Sequence, residues 1–178
     1  MPAPTPAPAA TRVPEGSPLP AWLRLACAIL PVAATAAIGS VATRSEIPGW
    51  YAGLAKPWFN PPVWVFPVAW TILYTAIAVA LWRLLGAKPR TGPSGEGWWL
   101  ALAAFLVQLA LNAAWTPVFF TVHAVGAALV VVAVLLVMVL WTIRLTWRFD
   151  RAAAWLLVPY AAWVAFATLL NAAILRMN

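Results

Sequence analysis

A chain of 178 residues that is 65% hydrophobic and only 8% charged cannot cover itself with polar surface, because a soluble domain carries about 25% charged residues. Its mean hydropathy of +0.89 points to lipid as the solvent. The net charge of +7 does not mark a nucleic-acid partner, since the cations form no stripe on one face and sit between apolar segments, the pattern of membrane topology.

Residues 1–20, MPAPTPAPAATRVPEGSPLP, are rich in proline and alanine without a hydrophobic period. They read as a disordered or extended tail ahead of a membrane domain over 21–178. No clear signal-peptide cleavage site follows them. Five apolar segments come next, at roughly 21–43, 63–86, 97–119, 124–147 and 152–175, each near the ~20 residues a bilayer requires. Backbone groups in lipid must pair within the protein, and runs above ~17 residues without strict alternation exclude barrel strands. The expected fold class is therefore all-α, an integral membrane bundle of five transmembrane helices. Cys27, the one cysteine, lies in the first apolar run; it cannot form an internal disulfide and is expected as a buried, inert thiol.

The first loop, about 44–62, holds RSEIPGWYAGLAKPWFNPP; the second, GAKPRTGPSGEG, is flexible by its glycines; the third is a tight turn near Thr121–His123; the fourth is RLTWRFDR. Arg12, Arg24, Arg83, Lys88, Arg90, Arg144, Arg148 and Arg151 fall on the side of the N-terminus, against Arg44, Lys56 and Arg176 on the other. The positive-inside rule makes the N-terminus cytoplasmic and sets loop 1 and the C-terminus on the opposite face.

The acids Glu15, Glu46, Glu96 and Asp150 all lie outside the apolar cores, and His123 is in a turn. No acid, lysine or histidine is placed mid-membrane, where proton relays and ion-coupled pumps need them. No metal-ligand cluster and no nucleophilic triad can be assembled, so a conventional hydrolytic or metal-dependent enzyme is not expected. Aromatic and amide chemistry remains. Trp22, Trp82, Trp98, Trp99, Trp141, Trp147 and Trp155 sit at helix ends and read as an interfacial belt. Trp163 falls near the middle of the last span and Trp70 about two turns into the second, where an indole N–H wants a partner or packs between helices. Gln108 and Asn112 share one face of the third span, with Trp115 a turn further; Asn171 shares a face with Trp163. Such amides either glue helices together or line a pocket. Pro31, Pro67, Pro117 and Pro159 fall within expected spans and open space between helices. Together these features suggest a cavity for a flat, largely apolar ligand, with loop 1 as a lid stiffened by its prolines.

The stretches WYAGLAKPWFNPPVWVFPVAWTILY (50–74), QLALNAAWTPVFF (108–120) and LVPYAAWVAFATLLN (157–171) resemble the TspO/MBR family, the tryptophan-rich sensory proteins and mitochondrial translocator proteins. The similarity runs from about residue 24 to the end. The resemblance implies a five-helix bundle, usually a homodimer, with a pocket roofed by loop 1. It implies tetrapyrrole ligands such as protoporphyrin IX or a heme-like ring, no obligatory cofactor, and synthetic isoquinoline carboxamide or benzodiazepine-type ligands. Carried onto this chain, ligand-binding positions are Trp50, Tyr51, Pro61, Trp70, Gln108, Asn112 and Trp163. Trp70 and Trp163 match tryptophans linked to light-dependent porphyrin breakdown. The functions implied are sensing, carrying or scavenging porphyrins, with photochemical degradation or transport as alternatives. The N-terminal tail is extra to the family pattern. The segment ATLLNAAILRMN lacks the tyrosine of the animal cholesterol motif before Arg176.

Overall fold

The computed structural model describes residues 19–87 and 93–178. Apart from Leu19 and Pro20, the expected tail therefore lies outside the described residues, as do residues 88–92 of the second loop. The described chain forms α1 (Ala21–Thr43), α2 (Trp50–Gly53), α3 (Val65–Gly86), α4 (Pro93–Phe120), α5 (Val125–Thr146) and α6 (Arg151–Met177). All but α2 are long and apolar enough to cross a membrane. Among the described residues all regular elements are helices, and the protein is a multi-pass membrane bundle.

The ends of the helices follow local chemistry. α4 begins at Pro93, ahead of the apolar run expected from 97, because a proline opens the helix and Glu96 sits in its first turn. α6 starts at Asp150, whose carboxylate accepts the Ala153 N–H at 2.9 Å, a side-chain N-cap. The same carboxylate pairs with Arg83 at 3.0 Å, fastening the end of α3 to the start of α6. After Pro117 the chain leaves α4 through Thr121 and Val122, whose N–H groups both reach the Pro117 carbonyl at 2.9 Å. His123 then takes a left-handed backbone, φ 57°. Pro31, Pro117 and Pro159 are interior to helices. Pro67 instead occupies the first turn of α3, where its missing N–H costs nothing.

The five spans close into a ring: α1 packs on α3 and α4, α3 on α6, α6 on α5, and α5 on α4. One half of the ring is filled. Leu73, Ile77, Leu81, Leu84, Phe105 and Leu157 are all at most 5% exposed there, a solid apolar plug. The other half, on the loop 1 side, is hollow.

Two expectations are corrected. Cys27 lies on the outer face of α1, not in the core; in lipid an apolar run gives no sign of which face turns inward. Trp98 is buried rather than interfacial, and its indole N–H donates at 3.0 Å to the Leu84 carbonyl in the last turn of α3, which also accepts the Ala87 N–H. Trp22, Trp99 and Trp155 are exposed at helix ends, as belt residues are.

Candidate functional site

The hollow half holds a cavity of about 600 Å³, within the ~300–1,000 Å³ of small-molecule sites. Its wall takes residues from Ala36 onward in α1, up to Tyr74 in α3, from Asn112 onward in α4, up to Leu135 in α5 and from Trp163 onward in α6. Ile47 and Tyr51 of loop 1 complete the wall at the open end of the ring. Among the described residues, no charged side chain lines the cavity.

Aromatic rings make up one side. Trp70 meets Trp163 edge to face, with centroids 6.4 Å apart and planes at 80°. Trp70 also stacks on Tyr74 at 5.0 Å, and Phe66 stands edge-on to Trp163 at 6.1 Å. Opposite them, Trp115 stacks on Phe119 at 5.4 Å. The edge-to-face contacts fix the ring orientations.

The two amides on the wall, Asn112 and Asn171, are paired into two interhelical ties. Asn112 donates through Nδ2 to the Tyr160 hydroxyl at 2.8 Å and accepts from the Tyr74 hydroxyl at 3.3 Å, linking α4 to α6 and α3. Asn171 accepts from the Trp115 indole at 3.2 Å and donates to the Val125 carbonyl at 2.9 Å, linking α6 to α4 and the start of α5. Both amides are at most 2% exposed. They serve as glue and as wall at once, so the two readings the sequence left open are not exclusive.

Loop 1 is fastened at several points. The Tyr51 hydroxyl donates to Asn60 Oδ1 at 2.8 Å. The Lys56 ammonium sits 4.8 Å from the Tyr51 ring centroid and donates to the Ala52 and Leu54 carbonyls. Burial pushes the Tyr51 phenol up to about 12. Glu46 meets His123 at 2.9 Å, and this hydrogen bond, helped by Ser45, holds the Glu46 carboxyl below its ordinary range. The Asn178 amide brackets Ala55, accepting its N–H at 3.0 Å and donating to its carbonyl at 3.1 Å. Loop 1 and the end of α6 thus meet at the same end of the bundle.

Of the positions the family resemblance implied, Tyr51, Trp70, Asn112 and Trp163 line this one cavity, and Trp50, Pro61 and Gln108 do not. Trp50 turns away to stack on His123 at 4.1 Å and to meet Phe119 edge-on. Gln108 lies one turn below Asn112, past the floor, 1% exposed and with neither amide atom partnered. Sequence reasoning missed Tyr74 and Tyr160, whose hydroxyls have no signal in an apolar run, and the Glu46–His123 and Asn178–Ala55 contacts, which join residues 77 and 123 positions apart.

The TspO/MBR family model matches residues 27–177. The chain is 41% identical over 146 residues to the tryptophan-rich sensory protein of Cereibacter sphaeroides, covering 80% of this chain and 87% of that one. It is 36% identical over 159 residues to the tryptophan-rich protein TspO of Archaeoglobus fulgidus, covering 88% and 97%. It is 36% identical over 144 residues to the human translocator protein, covering 79% and 82%. With a matching family model over most of its length and relatives in bacteria, archaea and animals aligned across the whole ring, the chain belongs to the TspO/MBR family.

Proposed function

We propose that this protein binds a tetrapyrrole, of the protoporphyrin IX kind, in the cavity between its five spans, and acts as a membrane sensor, carrier or scavenger of that ligand. The observation that carries this reading is the uncharged cavity of about 600 Å³ whose wall sets Trp70, Trp163, Phe66 and Trp115 around one space. A flat conjugated ring gains both apolar burial and stacking there. Loop 1 acts as the lid, with Tyr51 on its inner side. Flat synthetic ligands of the isoquinoline carboxamide or benzodiazepine type suit the same space. A homodimer with the N-terminus in the cytoplasm and loop 1 on the opposite face completes the proposal.

The plug below the cavity favours binding over conduction: passage across the ring would require repacking Ile77, Leu81, Leu84, Phe105 and Leu157, all at most 1% exposed. A second reading, light-dependent breakdown of the bound porphyrin, is favoured by the contact of Trp70 with Trp163 in the cavity wall, since indoles are oxidisable partners for an excited ring.

Titration of protoporphyrin IX into purified protein in detergent, followed by tryptophan fluorescence, tests the site. Saturable quenching is expected. Ala167→Trp, which fills the cavity, should weaken binding at least roughly tenfold, about 1.4 kcal/mol, while leaving helical content intact. Equal affinity in that variant refutes the cavity as the site. Illumination of the complex separates the two readings: loss of the porphyrin spectrum in the parent but not in Trp163→Phe supports photochemistry, and equal bleaching in both removes Trp163 from it.

A further inference from the structure

The geometry points to a lateral portal between α1 and α3, through which the cavity exchanges its ligand directly with the bilayer, with Trp64 as its gate. This rests on the reading of the cavity as a ligand site and says how that site is reached.

Loop 1 is pinned on the sides away from this gap. Glu46 and Trp50 hold it to His123 of the α4–α5 turn, at 2.9 Å and by ring stacking at 4.1 Å. Asn178 holds Ala55 to the end of α6 by a pair of hydrogen bonds. Among the described residues, no side-chain hydrogen bond joins α1 to α3. The residues that both line the cavity and are exposed on the outside of the bundle cluster on these two helices: Ser40 on α1, Val63 and Trp64 before α3, and Pro67 in its first turn. Trp64 is 67% exposed and Val63 50%, although both border the interior space. On the α1 side the wall is built from Ala36, Gly39, Ser40 and Thr43, all small side chains, so the large exposed group across the gap is the Trp64 indole.

The gap lies where lipid would meet it. Ser40 is within the last turn of α1, about 5 Å of helix rise from Thr43, and Pro67 is in the first turn of α3. This is the depth at which acyl chains give way to headgroups, and an exposed tryptophan is at home there. A cavity without charged wall residues suits a molecule already dissolved in the membrane, which never has to cross the polar loops.

Two experiments test the portal, and the first needs no ligand. In a Cys27→Ala background, Ala36→Cys lies on the cavity wall one turn deeper than Ser40. In liposomes it should react with a membrane-partitioned pyrene maleimide about tenfold faster than with a charged, water-soluble maleimide, and Trp64→Ala should widen that difference. Faster reaction with the charged reagent places the access route through loop 1 and overturns the proposal. The second follows release of protoporphyrin IX from the loaded protein into empty liposomes. Trp64→Ala should speed release about tenfold and Ser40→Trp slow it by a similar factor, with little effect from Glu46→Gln or Asn178→Ala. The reverse pattern, fast release on loosening loop 1 and none on altering Trp64, also overturns it. Absence of equilibrium quenching by the porphyrin in the parent protein would instead count against the ligand reading, while the maleimide comparison still decides the portal.

Discussion

Replacing Asn112 by leucine removes the central tie of the cavity floor with little change of volume. Its hydrogen bond to the Tyr160 hydroxyl is short, 2.8 Å, and the one from Tyr74 is long, 3.3 Å. Side-chain hydrogen bonds between membrane helices average about 0.6 kcal/mol, so the two bonds together contribute about 1 kcal/mol. The substitution also strands the Tyr160 hydroxyl, which is 0% exposed, and an unpartnered buried hydroxyl costs about 1–3 kcal/mol. Asn112→Leu should therefore destabilise the bundle by about 2 kcal/mol. Tyr160→Phe should cost only about 1 kcal/mol, because Asn112 keeps its bond from Tyr74 and sits at the cavity wall. In the double variant no stranded hydroxyl remains and the shared bond is lost only once, so its cost should fall short of the sum by about 1–2 kcal/mol. The assay is unfolding by sodium dodecyl sulfate from mixed micelles, monitored by circular dichroism, on all four members of the cycle. Additivity within about 0.3 kcal/mol would refute the reasoning, since it would mean that Asn112 and Tyr160 do not depend on each other.

Asp150→Ala should lose the N-cap of α6 and the pair with Arg83 together, costing about 1–2 kcal/mol, whereas Asp150→Asn keeps the cap and should recover most of it in the same unfolding assay. The Tyr51 phenol, raised to about 12 by burial, favours the folded loop below its ordinary pKa and loses that contribution as pH rises from about 10 through 12; phenolate absorbance should show a late step that Tyr51→Phe removes. Single cysteines at Ser45 and Arg148, in a Cys27→Ala background, should label from opposite sides of sealed vesicles, with Ser45 on the non-cytoplasmic side; labelling of both from one side would reject the topology drawn from the arginines and lysines.

The spans were legible in the sequence because a bilayer demands a run of apolar residues of fixed minimum length, and each run is bounded by proline, glycine or charge. The four-residue helix in loop 1 was not, since Trp50–Gly53 is too short to show any period. The family resemblance put Trp50 and Tyr51 at the ligand together, but successive helical residues point about 100° apart, and here Tyr51 faces the cavity and Trp50 faces His123. Gln108 and Asn112 were correctly put on one face, yet four residues are about 6 Å of depth, and the cavity stops at Asn112. Spacing along a helix reports direction; it does not report where a hollow ends.

A deeper limit separates this chain from a soluble one. In water, hydrophobic periodicity marks the face turned inward, because the other face must be polar. In lipid both faces are apolar, so the pattern is silent about inside and outside, and Cys27 on the exterior and Ala28 at 0% exposure stand side by side in one uniform run. Only polar side chains break the tie, since lipid offers them no partner. That is why Asn112 and Asn171 could be placed in the interior from sequence, while Phe66, Phe119 and Leu135, equally part of the cavity wall, looked no different from residues facing the bilayer. The same degeneracy is what lets a portal form: a gap between α1 and α3 exposes apolar wall to apolar solvent, at little of the cost that such an opening would carry in water.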